Sequence, residues 1–301
     1  MDISHLFRSV GLDVSVEVEG SNHTYDVQPE AQNNWLYGAF RAFQNLEVKQ
    51  CDTFASIGTG PGIDGIGAAL ILKPQSVILT DIDERVLDVA KQNFQKNVQN
   101  IQCITLHGNL CAPMREHGMT VDVLYANVPN IPEADESVRQ EGMNTASYID
   151  PTIIQNVPKR FVDYRLGSQY TFLQGAKDCL SPDGCVIVNV GGRVPVSLLN
   201  EMLKECGYDS NELFSTFKIQ TEAEQMLPAY AEAETDDVSF DFYIYEEALQ
   251  ILEEQMAELG AQELKDLLLP CHVSATEGLA LFKKGTSIGH IVQLIKGNLS
   301  N

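Results

Sequence analysis

Short runs rich in β-branched and aromatic residues recur at 52–57 (DTFASI), 76–81 (SVILTD), 101–106 (IQCITL) and 121–126 (VDVLYA), then at 184–190 (GCVIVNV), 212–219 (ELFSTFKI) and 238–245 (VSFDFYIY). Their length and composition predict strands. The stretches between them carry helical spacing. "ERVLDVAKQNFQKN" puts Val86, Val89, Ala90 and Phe94 on one face. "YTFLQGAKDCL" and "SLLNEMLKECGY" behave alike, and Gly207 closes the second as a C-cap. Strands without clear polar alternation, separated by helices, imply an α/β fold: a mostly parallel seven-stranded sheet with helices on both faces. "AETDD" before the last run leaves room for an antiparallel end to that sheet.

Three segments organise the chain. Residues 1–50 read as an N-terminal helical lid segment, 51–245 as the α/β domain, and 246–301 as a C-terminal helical extension. The extension comprises "EEALQILEEQMAELGAQELKDLLL", "TEGLALFKK" and "SIGHIVQLIKG". It is expected to pack on the domain or on a second subunit, which leaves a homo-oligomer through these helices open. Residues 133–164 are too long for an ordinary connection and read as a substrate cap.

Composition narrows the partners. With 20 Lys+Arg against 42 Asp+Glu, the net charge is −22. No basic stripe compensates for it, so a phosphate backbone is repelled and nucleic acid is not expected as a substrate. The seven cysteines are scattered without C-x-x-C spacing, and the six histidines form no H-x-x-x-H pair; neither a disulfide framework nor a metal site is expected. "MDISHLFRSV" lacks the basic start and apolar core of a secretion signal, and no run reaches membrane-spanning length. The chain reads as cytoplasmic, with no membrane partner.

"FASIGTGPGIDGIG" runs from a strand through a glycine-rich turn into a helix, the arrangement that brings backbone amides to a ligand. Asp81 ends the second strand, where a carboxylate can accept from a ribose diol. A dinucleotide and S-adenosyl-L-methionine (AdoMet) share this arrangement. Gly60-Pro61-Gly62-Ile63-Asp64-Gly65 satisfies the dinucleotide pattern, but Gly58 already opens the turn as G-x-G-x-G, the form of AdoMet sites. "HGNLCAPM" after the third strand is similar to the segment that meets adenine in AdoMet methyltransferases, with Asn109 where an acid is usual. Gly58, Thr59, Gly60, Gly62, Asp81, Ile82, Asn109 and Leu110 are therefore the cofactor candidates. Ser56 stands where the class I pattern often carries an acid, so a polar contact near the cofactor's methionine end is weaker or differently supplied.

"YANVPNIP", "LGSQYTFLQG", "VIVNVGGRVP" and "FSTFKIQTEAEQMLPAYAEAE" follow one another in the order found in methionine S-methyltransferases. The chain resembles the catalytic domain of the plant enzymes and stand-alone bacterial forms over roughly residues 30–245, with "VNVGGR" as the most specific piece. The resemblance implies a Rossmann-like class I methyltransferase fold. It also implies methyl transfer from AdoMet to the thioether of L-methionine, giving S-methylmethionine and S-adenosyl-L-homocysteine and feeding dimethylsulfoniopropionate synthesis. In this family the segment holding Trp35 and Tyr37 closes over the cofactor.

Chemistry gives the turn at Asn127, Val128, Pro129 and Asn130 a meaning. An Asn-Pro-Pro-Tyr turn suits an amine, which must lose a proton; a thioether has a free lone pair and needs no general base. Asn127 is the candidate for the substrate ammonium, and carbonyls of Val128 or Pro129 for the sulfonium. A proline-stiffened strand end without substrate contact remains the other reading. Arg193 is the candidate for the substrate carboxylate, since its fork matches one bidentately, against a surface arginine capping a turn. Tyr170 and Gln174, at i and i+4 of one helix, are candidates for an aromatic wall and a polar contact, against plain core packing. Competing activities are an amine or amide N-methyltransferase of the protein-glutamine type, a nicotinamide oxidoreductase, and a non-catalytic AdoMet-binding protein.

Overall fold

The computed structural model describes residues 1–20, 27–47, 51–133, 148–255 and 257–300. Its helices are α1 (Ser4–Arg8), α2 (Trp35–Gln44), α3 (Ile63–Leu72), α4 (Glu84–Asn97), α5 (Ala112–Glu116), α6 (Lys159–Asp163), α7 (Gly167–Ala176), α8 (Val196–Glu205), α9 (Ala223–Ala233), α10 (Tyr245–Glu253), α11 (Ala261–Leu267) and α12 (Ala275–Phe282). Its strands are β1 (Thr53–Ile57), β2 (Ser76–Asp81), β3 (Gln102–His107), β4 (Val121–Ala126), β5 (Ile131–Pro132), β6 (Tyr148–Ile149), β7 (Leu180–Gly191), β8 (Tyr208–Ile219), β9 (Phe242–Ile244), β10 (His272–Val273) and β11 (Ile288–Leu299).

The central sheet has nine strands along the path β10-β9-β11-β7-β4-β1-β2-β3, with β8 pairing β11 off that path. The half from β3 to β7 is parallel throughout. The other half, built on β11, is antiparallel. Successive side chains of β7 explain why its run shows no polar alternation. Val186, Val188 and Val190 enter one core, while Cys185 and Ile187 enter the core on the opposite face. Each such buried aliphatic side chain contributes roughly 1.5–3 kcal/mol, so both layers hold the sheet.

The expected helical tail needs correction. Helices α10, α11 and α12 form, but "SIGHIVQLIKG" becomes β11, a twelve-residue strand lying between β7 and β8. Ile288, Ile291, Val292 and Ile295 fit helical spacing as well as they fit a strand buried on both faces, so periodicity alone misassigns it. The run at 238–245 shrinks to the short strand β9, which pairs with β11 and β10. Residues 246–301 are thus part of the sheet and of its cover: Ala248, Ala261 and Leu264 pack with Phe217 of β8 and Ile291 of β11.

The lid expectation is also narrowed. Ile3, Leu6, Phe7, Val16 and Val18 are buried against Phe40 and Phe43 of α2, so the N-terminal segment is mostly a core layer. Among the described residues no helix is long and apolar enough to cross a membrane, and no group of three or more His, Cys, Asp or Glu could hold a metal ion.

Candidate active site

A cavity of about 580 Å³ opens at the C-terminal ends of β1, β2, β4 and β7, where open α/β sheets place their ligands. The glycine turn forms its floor. Gly58, Gly60 and Gly62 have φ of 67°, 53° and 81°, the left-handed region glycine enters without penalty. Gly58, Thr59 and Gly60 line the cavity; Gly62 does not, and acts instead as the turn into α3, where a Cβ would sit 3.0 Å from the Ala90 carbonyl oxygen.

Asp81 binds this turn to the second strand. Its carboxylate accepts from the Gly60 and Asp83 amides, each at 3.0 Å. Burial pushes the carboxyl above its ordinary value while those amides pull it down. Ile82 beside it is 64% exposed, an apolar surface bordering the cavity with Asn109 and Leu110. A strand-end carboxylate, an apolar face and a side-chain amide therefore lie together, a set that would suit a nucleoside.

The acid missing at Ser56 is supplied from the next helix. Asp64, in the first turn of α3, is buried in the cavity wall and accepts from the Ser56 and Thr59 hydroxyls and the Gly65 amide. Burial pushes its carboxyl up to about 6, against those three hydrogen bonds. The sequence signal was present in the turn itself, GPGIDG. A carboxylate beneath the glycine turn suits a cationic ligand.

The turn after β4 faces the same space. Asn127, Val128, Pro129 and Asn130 all line the cavity. A Cβ on Gly58 would lie 3.9 Å from Val128 Cγ1, so this valine borders the glycine turn. The Pro129 carbonyl accepts from Ser168 Oγ at 2.6 Å, which occupies one of the two carbonyls assigned to a sulfonium.

Arg193 closes the far end. It is 1% exposed and lines the cavity, not a surface turn. Nε and Nη2 donate to Gln220 Oε1 at 3.2 and 2.6 Å, Nη1 to the Tyr230 hydroxyl at 3.4 Å, and Nη2 to His290 Nε2 at 2.9 Å. Gly191 makes room for it: a Cβ there would fall 2.0 Å from Nη1. All these partners are neutral, and burial lowers the guanidinium pKa. His290 accepts at Nε2 and donates from Nδ1 to the Ile291 carbonyl, and burial with the charges of Arg193 and Lys218 holds its pKa well below the ordinary value. Lys218, 1% exposed, lies over the Trp35 ring at 5.1 Å; burial and the Arg193 charge bring its pKa down to about 7. Arg193, Lys218 and His290 thus form a buried basic cluster at this end of the cavity.

Several candidates fall elsewhere. Tyr170 stacks on Phe161 and donates to Glu205, while Gln174 contacts Lys177 and Cys206; neither lines the cavity. The part of α7 that does is Ser168–Gln169, on a different side of the helix. Trp35 lines the cavity together with Asn33 and Asn34, whereas Tyr37 packs edge-on against Phe214 on the far side of α2. Of the proposed cap, Tyr148, Ile149, Asp150 and Ile153 border the cavity, and residues 134–147 lie outside the described residues. Sequence reasoning missed Asp64, Asn189, Gln169, Gln220 and Glu222, which all line the site.

Comparison with known proteins covers the part of the chain that carries the glycine turn. Residues 38–148 match the family model "Ribosomal protein L11 methyltransferase (PrmA)". The chain is similar to the release factor glutamine methyltransferase of Moorella thermoacetica, 30% identical over 149 residues, 49% of each chain. It is also similar to the ribosomal protein L11 methyltransferase of Staphylococcus saprophyticus, 38% identical over 27% of this chain and 25% of the relative. The chain therefore spans half or less of the length of these relatives. Among solved structures, the precorrin-6y C5,15-methyltransferase of Geobacter metallireducens aligns over 94% of this chain and 95% of its own, at 10% identity and a TM-score of 0.42. The sheet order and glycine turn give the chain a mixed α/β, Rossmann-like methyltransferase fold, and S-adenosyl-L-methionine is its expected cofactor.

Proposed function

We propose that the protein transfers a methyl group from AdoMet to the thioether sulfur of L-methionine, giving S-methyl-L-methionine and S-adenosyl-L-homocysteine. The observation that carries this reading is the buried Arg193 guanidinium at the end of the cofactor cavity, held only by neutral groups among the described residues. A buried cation whose hydrogen-bond partners are all neutral favours an anionic ligand end, and a carboxylate matches its fork.

Bound on the glycine turn, the cofactor supplies a sulfonium-activated methyl group. The residues of the chain position and dry the acceptor. Val128 and Pro129 shape an apolar approach beside Gly58, Asn127 orients the polar end, and Arg193 with Asn130 holds the carboxylate side. No side chain has to remove a proton, because a thioether has none to lose. Positioning of this kind is worth several kcal/mol, up to about 7–11 in intramolecular analogues.

A second reading is methylation of a protein side-chain amide, with Asn127 as the clamp. The similarity to release factor glutamine and L11 methyltransferases favours it. The family match ends at residue 148, however, before Arg193, Gln220 and Tyr230. Mass analysis of L-methionine, glycine and a glutamine peptide after incubation with AdoMet separates the two. A methylene gain on methionine supports the first reading; a gain on the peptide alone supports the second.

A further inference from the structure

An α-amino acid carries its ammonium one carbon from its carboxylate, so the group that holds the ammonium has to share a wall with Arg193. Asn127 follows β4 next to Val128, which borders the glycine turn. The segment that shares the wall with Arg193 is Gln220-Thr221-Glu222, whose first residue accepts two of the arginine's hydrogen bonds.

Glu222 is out of place by every structural measure. It has φ +50°, a left-handed conformation that costs a non-glycine residue. It occupies the N-cap position of α9, where Ser, Asp, Asn or Gly would serve, yet its side chain makes no cap. Among the described residues no hydrogen bond or ion pair reaches its carboxylate, although its charge acts on both Arg193 and Lys218. It lines the cavity.

We propose that Glu222 is the specificity-determining acceptor for the substrate's α-ammonium, so that Arg193 and Glu222 together select a free zwitterionic amino acid. This rests on the methionine reading above and deepens it. A strained, unpaired carboxylate is kept because the ligand supplies its partner. A protein glutamine side chain, which has neither charge, would leave both residues unmatched.

The experiment compares kcat/KM for L-methionine and for 2-hydroxy-4-(methylthio)butanoate, which keeps the carboxylate and thioether but lacks the ammonium. Wild type is expected to prefer methionine by roughly a hundred-fold or more, as sites built for a polar group do. In Glu222→Gln that ratio falls at least about ten-fold, through methionine alone, with AdoMet affinity unchanged. Glu222→Gly relieves the backbone strain, so its thermal midpoint is expected to hold or rise while the discrimination is lost. An unchanged ratio in both variants overturns the assignment. So does a loss of AdoMet affinity, which would give the pair to the cofactor's own amino-acid end. Wild type inactive on both thioethers overturns the methionine reading itself, and this assignment with it.

Discussion

Asn130 and Arg193 meet on a single hydroxyl: Asn130 Nδ2 donates to the Tyr230 oxygen at 2.7 Å, and Arg193 Nη1 donates to the same oxygen at 3.4 Å. The turn after β4 and the turn after β7 are thereby joined through α9. A tyrosine that accepts twice has its own proton free for a third group, and an anionic ligand is the natural acceptor. The departure from an Asn-Pro-Pro-Tyr turn gains a structural sense, because Asn130 serves as a link to the arginine instead of presenting a phenol.

Tyr230→Phe keeps the ring packing on Phe240 and Phe242 and removes only the shared oxygen. Its expected cost in stability is about 1 kcal/mol, that of one hydrogen-bond acceptor. KM for the anionic substrate is expected to rise by roughly ten-fold with kcat changed little, because ground-state and transition-state binding of the carboxylate are lost together. Steady-state kinetics on the purified variant check it.

Asp64 makes a pH-dependent contribution with a definite sign. Its folded value of about 6 lies above the ordinary 3.8. It therefore favours folding fully below pH 3.8, and that contribution is lost as pH rises through about 6. The stability of wild type relative to Asp64→Asn should fall across that window by on the order of 3 kcal/mol, measured by denaturant titration. A cationic cofactor favours the carboxylate, so AdoMet binding near pH 6 should release protons, seen as a buffer-dependent heat in calorimetry.

β11 is central, not appended. Removing residues 286–301 would expose the facing edges of β7 and β8 along their length. The shortened chain is expected to lose cooperative thermal unfolding altogether. A peripheral helical tail would leave a folded domain with a similar midpoint.

Tyr170→Phe and Gln174→Ala test the reassignment of α7. Both lie off the cavity, so kcat/KM should stay within about two-fold of wild type. Gln169→Ala, on the face that borders the cavity, should change it by more.

The parallel half of the fold was legible because each strand run is short, apolar and followed by a helix with its own spacing; α4 falls on the residues its periodicity marked. The glycine turn and Asp81 were legible because backbone conformation and a strand-end acid leave local signatures. β11 was not, since a strand buried on both faces has no alternation to distinguish it from a helix. Tyr170 and Gln174 shared a helix face, but periodicity cannot say toward which wall that face turns. Glu222 was hidden for a different reason: an acid in an acidic chain stands out only when its backbone conformation and its place in the cavity wall are seen together.

The most direct measurement places L-methionine and a release-factor glutamine peptide in one reaction with methyl-labelled AdoMet, and asks where the label goes. Methionine as the acceptor predicts label in S-methyl-L-methionine, with the peptide unlabelled and transfer weakened in Arg193→Lys. Label in the peptide with none in methionine would contradict it.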